Sequence, residues 1–331
     1  MSRVLVTGGA GFLGSHVADA LIERGHEVTV LDDLSGGFRE NVPSAAHFVR
    51  GSVADASLVD AVFAADAFTH VYHLAAYAAE GLSHFIRRFN YTNNVIGSVN
   101  VLNASVNTGV RTFVFTSSIA VYGASPRLPV TEEMPPEPGD PYGIAKYAVE
   151  LDLRACREMF GLDYVIFRPH NVFGPRQNIG DRYRNVVGIF MNQVLQGRPM
   201  TIFGDGTQTR AFSYVDDVAR LMAEAIDVPE ALNHVFNVGA DEPYSLNELA
   251  GEVAAAMDAS PEVVHLAPRH EVQHVHAAHE KVRRVFGCRP VTPLCEGLGR
   301  TAAWVRQRGA RTSSPFSGIE ITRNLPEAWR D

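Results

Sequence analysis

The 331-residue chain has little cysteine: Cys156, Cys288 and Cys295 are the only three. The count is odd and no pair has Cys-x-x-Cys spacing, which excludes a disulfide framework and points to a reducing compartment. Long apolar runs are also missing. None reaches the roughly 18 residues of a membrane span, and Met1-Ser2-Arg3 passes straight into Val4-Leu5-Val6 without the pattern of a secretory leader. Positive charge is in deficit, with 29 Lys and Arg against 37 Asp and Glu and a formal charge of −8. Such a surface does not attract nucleic acid or anionic lipid, so an anionic ligand needs a local basic pocket. Internal repeats and low-complexity segments are absent too. A soluble, cytoplasmic protein with neither nucleic acid nor membrane as partner is expected.

What is present is an alternation of short apolar runs with longer amphipathic ones. Strands are predicted at Val4–Val6, Val28–Leu31, His47–Val49, Val71–Leu74, Phe113–Phe115 and Tyr164–Phe167. Helices are predicted at Leu13–Arg24, Leu58–Ala64, Asn93–Asn107 and Tyr142–Phe160. Unbroken apolarity such as Val28-Thr29-Val30-Leu31 fits strands covered on both faces, hence a Rossmann-type α/β fold with a doubly wound parallel sheet. This domain is expected over 1–168. After Phe167 the pattern loosens around Gly174-Pro175, Gly204-Asp205-Gly206 and Glu242-Pro243. It suggests a smaller α/β substrate-binding domain over 169–311, some of whose elements return to the main sheet. Helices at Asp216–Ile226 and Leu246–Met257 are expected to pack against or beside that sheet. The polar stretch 312–331 reads as an extended tail.

Where the first strand should turn into the first helix stands Thr7-Gly8-Gly9-Ala10-Gly11-Phe12-Leu13-Gly14. Glycines at this spacing allow a tight turn and a close backbone approach to a pyrophosphate, which the helix N-terminus then holds. The preceding strand and following helix supply the context that the motif requires. Asp32, followed by Asp33, closes the second strand at the distance where a carboxylate holds the adenosine ribose hydroxyls. Its charge would repel a 2′-phosphate, and no Arg or Lys follows before Arg39, so NAD is favoured over NADP. The bland alternative is a glycine turn that only closes a strand–helix corner.

Tyr142-Gly143-Ile144-Ala145-Lys146 places a phenol and an ammonium on one helix face, one turn apart. Positive charge from Lys146 and from an oxidised nicotinamide is expected to lower the tyrosine pKa from about 10 toward a useful base. Taken alone, such a pair usually marks an exposed helix face. Its context sharpens the reading, because it follows a fifth strand ending in Thr116-Ser117-Ser118 at the carboxyl edge of the sheet. Ser118 could donate to the same substrate oxygen, or simply cap a turn.

Thr7–Gly14, Ser118–Gly123 and Tyr142–Lys146 resemble the extended short-chain dehydrogenases/reductases that modify nucleotide sugars, in particular the UDP-hexose 4-epimerases. The resemblance runs from about Arg3 to Arg306, with further matches at His73–Ala76, Asn93-Asn94-Val95, Asn171–Gln177 and Gly204–Arg210. It implies that Ser118, Tyr142 and Lys146 are the catalytic trio. It implies that Gly8, Gly11, Phe12, Leu13, Gly14, Asp32, Asp33, Ser52, Val53, Leu74, Ala75, Ala76, Asn94 and Ser117 line the cofactor, with Tyr142 and Lys146. Asn171, Arg210, Arg269 and Ser118 would hold the UDP-sugar, the two arginines on its diphosphate. Pairing of the Asn93–Asn107 and Tyr142–Phe160 helices into a homodimer is implied as well.

The pattern departs from the family at Ala120, at Ser52 where an aspartate is expected against adenine, at Ala211 and at His170. These touch sugar identity more than reaction type. Dehydratases of the family carry an Asp-Glu pair where this chain has Ile119-Ala120, which disfavours elimination. A keto-reductase or decarboxylase shares the trio, and a non-catalytic NAD-binding regulator would be expected to lose Tyr142 or Lys146. Arg182 and Arg184, in Gly180-Asp181-Arg182-Tyr183-Arg184-Asn185, could recognise the carboxylate of UDP-glucuronate, or could belong to a solvated loop. His265, His270, His274, His276 and His279 cluster without a completing cysteine or carboxylate set, so no metal is expected.

Overall fold

The protein is described here by a computed structural model over residues 1–330. Six strands, β1 Arg3–Thr7, β2 Glu27–Asp32, β3 His47–Arg50, β4 His70–His73, β5 Thr112–Thr116 and β6 Asp163–Pro169, join His234–Val238 in one sheet. The order is β3-β2-β1-β4-β5-β6 and then His234–Val238, with every neighbouring pair parallel. The chain winds outward from β1 to β3 and crosses back to β4 on the other side. The crevice at the carboxyl ends of β1 and β4 is therefore the topological switch point, where sheets of this kind take ligands.

Strand residues alternate between two cores, so neither face can tolerate a polar run. Val4, Val6, Val30, Tyr72 and Val114 pack with Val17 and Leu21 of the helix Phe12–Glu23 and with Val218 and Met222 of the helix Val215–Ala223. Leu5, Leu31, Val71, Phe113 and Phe115 face the other way, toward the helices Ala56–Ala65, Gly97–Thr108 and Pro141–Phe160. Each such fully buried side chain contributes about 1.5–3 kcal/mol. The six strands expected from the sequence are all present.

The second half holds the departures. His234–Val238 returns to the main sheet beside β6. The helix Val215–Ala223 packs on the helix Phe12–Glu23, but Leu246–Ala256 stands apart from the sheet. Its Leu249 and Val253 join Phe190, Met191, Leu298 and Val305 in a separate core. The helix expected at Asn93–Asn107 starts earlier, as Arg87–Tyr91, and continues through a π turn at Thr92–Ile96 into Gly97–Thr108.

The C-terminal stretch is a docked strap rather than a loose tail. Leu325 and Trp329 are buried, and Trp329 meets the rings of Phe85, Tyr183 and Phe203. Phe316 N–H donates to the Tyr183 hydroxyl at 2.8 Å, and the Glu320 carboxylate accepts from Arg88 and Phe89 N–H at 2.9 and 3.0 Å. The strap thereby ties the segment after β4, at Phe85–Phe89, to Tyr183 and Phe203. Asp331 lies outside the described residues. Among those residues no helix is long and apolar enough to cross a membrane.

Candidate active site

A cavity of about 600 Å³ opens at the switch point, between the carboxyl edge of the sheet and residues that follow β6. One end is built by the glycine turn. Gly8 adopts φ +72°, and a Cβ there would stand 2.7 Å from Ala75 N; a Cβ on Gly14 would meet Gly8 O at 2.1 Å. Only glycine permits these approaches. No side chain caps the helix Phe12–Glu23 and no acid sits in its first turn. Its leading N–H groups are thus available to an anion. Asp32 sits at the end of β2 with one carboxylate oxygen on Ala10 N–H (3.0 Å) and the other on Leu34 N–H (2.8 Å). Burial pushes its pKa up, and these two bonds oppose the rise.

Gly11, Phe12, Leu13, Asp33, Ser52, Val53, Leu74, Ala75, Ala76 and Ser117 all reach the wall of this cavity. The cradle, the open helix end and the carboxylate at the second strand together fit an adenine dinucleotide without a 2′-phosphate. Asn94 differs from expectation, since it is not on the wall. Its buried amide is spent on Tyr77 N–H (2.8 Å), Tyr77 O (3.1 Å) and Asn90 Oδ1 (2.8 Å), so it shapes the pocket by holding Tyr77.

Ser118, Tyr142 and Lys146 all line this cavity. Ser118 follows β5, and its Oγ both caps the turn Ile119–Tyr122 by accepting from Ala120 N–H (3.1 Å) and hydrogen-bonds the Tyr142 hydroxyl. The turn-capping role of this serine is thus observed. The helix Pro141–Phe160 is started by Asp140, whose carboxylate accepts from Gly143 N–H at 2.9 Å, with Pro141 in its first turn. That start sets Tyr142 in the first turn, and Lys146 one turn later. Lys146 donates to Thr116 O at 2.8 Å and stands 5.9 Å from the Tyr142 ring centroid. Burial holds the Tyr142 phenol above its ordinary pKa, opposed by the Ser118 bond. Burial brings Lys146 itself down to about 7, against the raising charge of Glu150.

Beneath the trio lies a polar network that the sequence did not disclose. Glu150 and Arg168 are fully buried and bonded twice, at 2.9 and 2.5 Å. Ser117 Oγ donates to Glu150 (2.5 Å), Arg168 donates to the Tyr122 hydroxyl (2.6 Å), and that hydroxyl donates to Asn237 (2.9 Å). Ser83 Oγ accepts from Tyr142 N–H at 3.2 Å. Glu80 and Asp140 also stand on the cavity wall. Only the helix-start pattern Asp140-Pro141 was a usable signal for any of these residues.

On the second domain's side, Asn171 adopts φ +41° and donates to Ala211 O at 3.1 Å. Arg210 and Arg269 both line the cavity. Arg210 is anchored on the carbonyls of Thr209, Gln273 and Val272. Arg269 bonds Glu271 and lies between the rings of Phe203 and Trp329. The Arg182–Arg184 loop is not freely solvated. Arg184 bonds Asp181 at 2.7 Å and stacks on Tyr77, while Arg182 donates to Ala328 O at 2.7 Å.

The histidines disperse. His279 bonds His170 (3.0 Å) and Asp241 (2.7 Å), His274 bonds Thr209, and His270 packs against His84. No group of three potential metal ligands forms among the described residues.

Comparison with known proteins agrees with this geometry. The family model for the NAD dependent epimerase/dehydratase family matches residues 4–239. A UDP-glucose 4-epimerase of Mycolicibacterium smegmatis is 38% identical over 315 residues, covering 92% of this chain and 99% of its own. The structure of a UDP-glucose 4-epimerase of Thermotoga maritima with UDP-glucose superposes with a TM-score of 0.88 at 36% identity, over 92% of this chain and 99% of that one. A Thermus thermophilus UDP-glucose 4-epimerase in complex with NAD gives 0.87 at 37% identity, with the same coverage. With the glycine cradle, the trio and the switch-point cavity on one chain, the protein belongs to the NAD dependent epimerase/dehydratase family.

Proposed function

We propose that this enzyme inverts C4 of a UDP-hexose, UDP-glucose and UDP-galactose or their N-acetyl forms. The observation that carries the reading is the meeting of Ser118, Tyr142 and Lys146 with the glycine cradle in a single cavity. The glycine turn and the helix Phe12–Glu23 would hold the pyrophosphate of NAD, Asp32 its adenosine ribose, and Lys146 the nicotinamide ribose. When bound, NAD supplies a site that accepts the C4 hydride and gives it back, with a positive charge beside Tyr142 in the oxidised form.

The chain's own residues do the proton work. Tyr142 takes the proton of the C4 hydroxyl while Ser118 hydrogen-bonds the same oxygen, leaving a 4-keto sugar. Burial excludes water and keeps the phenol neutral until positive charge arrives next to it. Arg210, Arg269 and Asn171 keep the nucleotide in place while the sugar turns over. Tyr142 then returns the proton as hydride reaches the opposite face of C4. No net redox change results.

Incubation with UDP-glucose, UDP-N-acetylglucosamine or UDP-glucuronate, without added cofactor, tests this. A C4 epimer of UDP-glucose or of the N-acetyl sugar is the expected product, and Tyr142→Phe should abolish it. No conversion of any of them, even with NAD supplied, would refute the proposal.

The enzyme is also read as a cytoplasmic homodimer. Ile144, Ala148, Leu151 and Ala155 form an exposed apolar stripe on the helix Pro141–Phe160, and Ile96 is exposed on the neighbouring helix. Such a stripe calls for a partner surface, and a second copy offers the matching one. Leu151→Glu should convert dimer to monomer in light scattering.

A further inference from the structure

Glu80 faces the same cavity and has no role in the chemistry above. It opens the short helix Glu80–Ser83, which follows the carboxyl end of β4. Ser83 binds this turn to the catalytic helix, since its Oγ donates to Glu80 O at 2.6 Å and accepts from Tyr142 N–H at 3.2 Å. Glu80 is therefore held within one short turn of the tyrosine. Its side chain is accessible at the cavity wall, yet its carboxylate makes no hydrogen bond and no ion pair among the described residues.

The absence of a partner is informative, because two guanidiniums stand close enough to act on it. Arg210 and Arg269 both pull the Glu80 pKa down, against a larger upward push from burial. Neither bonds it. Arg210 is spent on three backbone carbonyls, and Arg269 on Glu271 and two aromatic rings. Facing the cavity with no protein donor, the carboxylate is open to donors that a ligand brings. The donors cannot come from a diphosphate, which Glu80 would repel. They must come from the hydroxyl-bearing part of the ligand.

We propose that Glu80 selects the sugar: its carboxylate accepts hydrogen bonds from hydroxyls of a neutral hexose, and its charge turns away a hexuronate. The inference rests on the cavity being a UDP-sugar site. It assigns the pocket to the neutral hexoses over UDP-glucuronate. Arg182 and Arg184, the cations expected to meet a uronate, are held by Ala328 O and Asp181.

The test compares UDP-glucose and UDP-glucuronate on the NAD-loaded wild type and on Glu80→Gln, Glu80→Asp and Glu80→Ala. Both kcat/KM and calorimetric affinity are measured. Like charges held close in a partly desolvated site cost several kcal/mol, so the wild type should prefer UDP-glucose by about 100-fold or more. Glu80→Gln keeps the shape and one acceptor but loses the charge, and should narrow that preference by about 10-fold or more, chiefly through KM. Glu80→Asp retains the charge and should retain most of the preference. An unchanged ratio in Glu80→Gln, with thermal stability and NAD content intact, overturns the proposal. So does a wild type that prefers UDP-glucuronate. If the wild type binds UDP-sugars but epimerises none, the reaction reading fails alone, and the affinity ratios still decide the role of Glu80. If it binds neither compound, the UDP-sugar reading and this inference fall together.

Discussion

Replacing Glu150 by glutamine puts the polar network beneath the active site to a quantitative test. Glu150 and Arg168 are 0% and 1% exposed, and each carboxylate oxygen takes one guanidinium donor. The variant keeps the volume but turns one oxygen into an amide that faces a donor and leaves Arg168 without a counter-charge. Breaking one side of a buried pair in this way costs about 3–5 kcal/mol. Unfolding entropy of about 2.1 cal/mol/K per residue amounts to about 0.7 kcal/mol/K for a chain of this length, so Tm should fall by about 4–7 °C. Scanning calorimetry at a fixed rate reads this directly. A paired Glu150→Leu/Arg168→Met change removes both charges and should regain most of the loss. Glu150 also supports the charge of Lys146, whose pKa burial has already lowered to about 7. Without that support the cationic form is lost at still lower pH, and the alkaline limb of the activity profile should move down. A Tm loss below about 1 °C, or a double variant no better than the single one, would refute the account of this pair as a charge-balanced unit.

Three further expectations follow from local geometry. Gly8→Ala forces a Cβ to 2.7 Å from Ala75 N at φ +72°, so the purified variant should retain less than about a tenth of the NAD released by the wild type on denaturation. Asp140 is held up at about 7 by burial and then by the charge of Glu80. The folded chain therefore keeps a proton that the unfolded chain releases between about pH 4 and 7; this contribution to stability falls as pH rises through that window, and Asp140→Asn should flatten the slope in urea titrations. Trp329→Ala opens a void between Tyr183, Phe203, Phe85 and Arg269 and should cost about 3–5 kcal/mol if the strap unfolds with the rest. An unchanged midpoint, with early proteolysis confined to the strap, would show instead that it detaches on its own.

The parts of the fold that were legible are those where one local pattern admits one structure. β1 to β6 are buried on both faces, so their residues read as short unbroken apolar runs between helices of period 3.6. The glycine turn was legible for a steric reason, since Gly8 and Gly14 sit where any Cβ collides. Tyr142 and Lys146 were legible because four residues along a helix bring two side chains to one face. The edge strand His234–Val238 left little trace: it is a single five-residue run between a 3₁₀ turn and a glycine, and its partner β6 lies some seventy residues earlier. Pairing over that distance has no periodic signature. The start of the helix at Arg87 was hidden because the π turn Thr92–Ile96 breaks the helical period midway.

The remaining blind spots share a cause, which is that sequence spacing reports neighbours along an element and not neighbours across the cavity. Glu80 and Arg269 lie nearly two hundred residues apart, and nothing in either segment announces the other. The strap shows the same effect. Phe316, Ile319, Leu325 and Trp329 follow neither a 2.0 nor a 3.6 period, and among polar neighbours they read as a tail. Yet they complete a small core with Leu82, Ile86 and Tyr183. Trp329 sits 5.4 Å from the Arg269 guanidinium and would lie 3.2 Å from a Cβ on Gly81. Gly81 directly follows Glu80, so the indole packs against both the arginine wall and the carboxylate wall of the pocket. The strap therefore backs both walls of the pocket without lining the cavity itself. Its loosening should widen the pocket's tolerance for the sugar before it affects the hold on NAD, whose glycine cradle and Asp32 belong to the first two strands and the first helix.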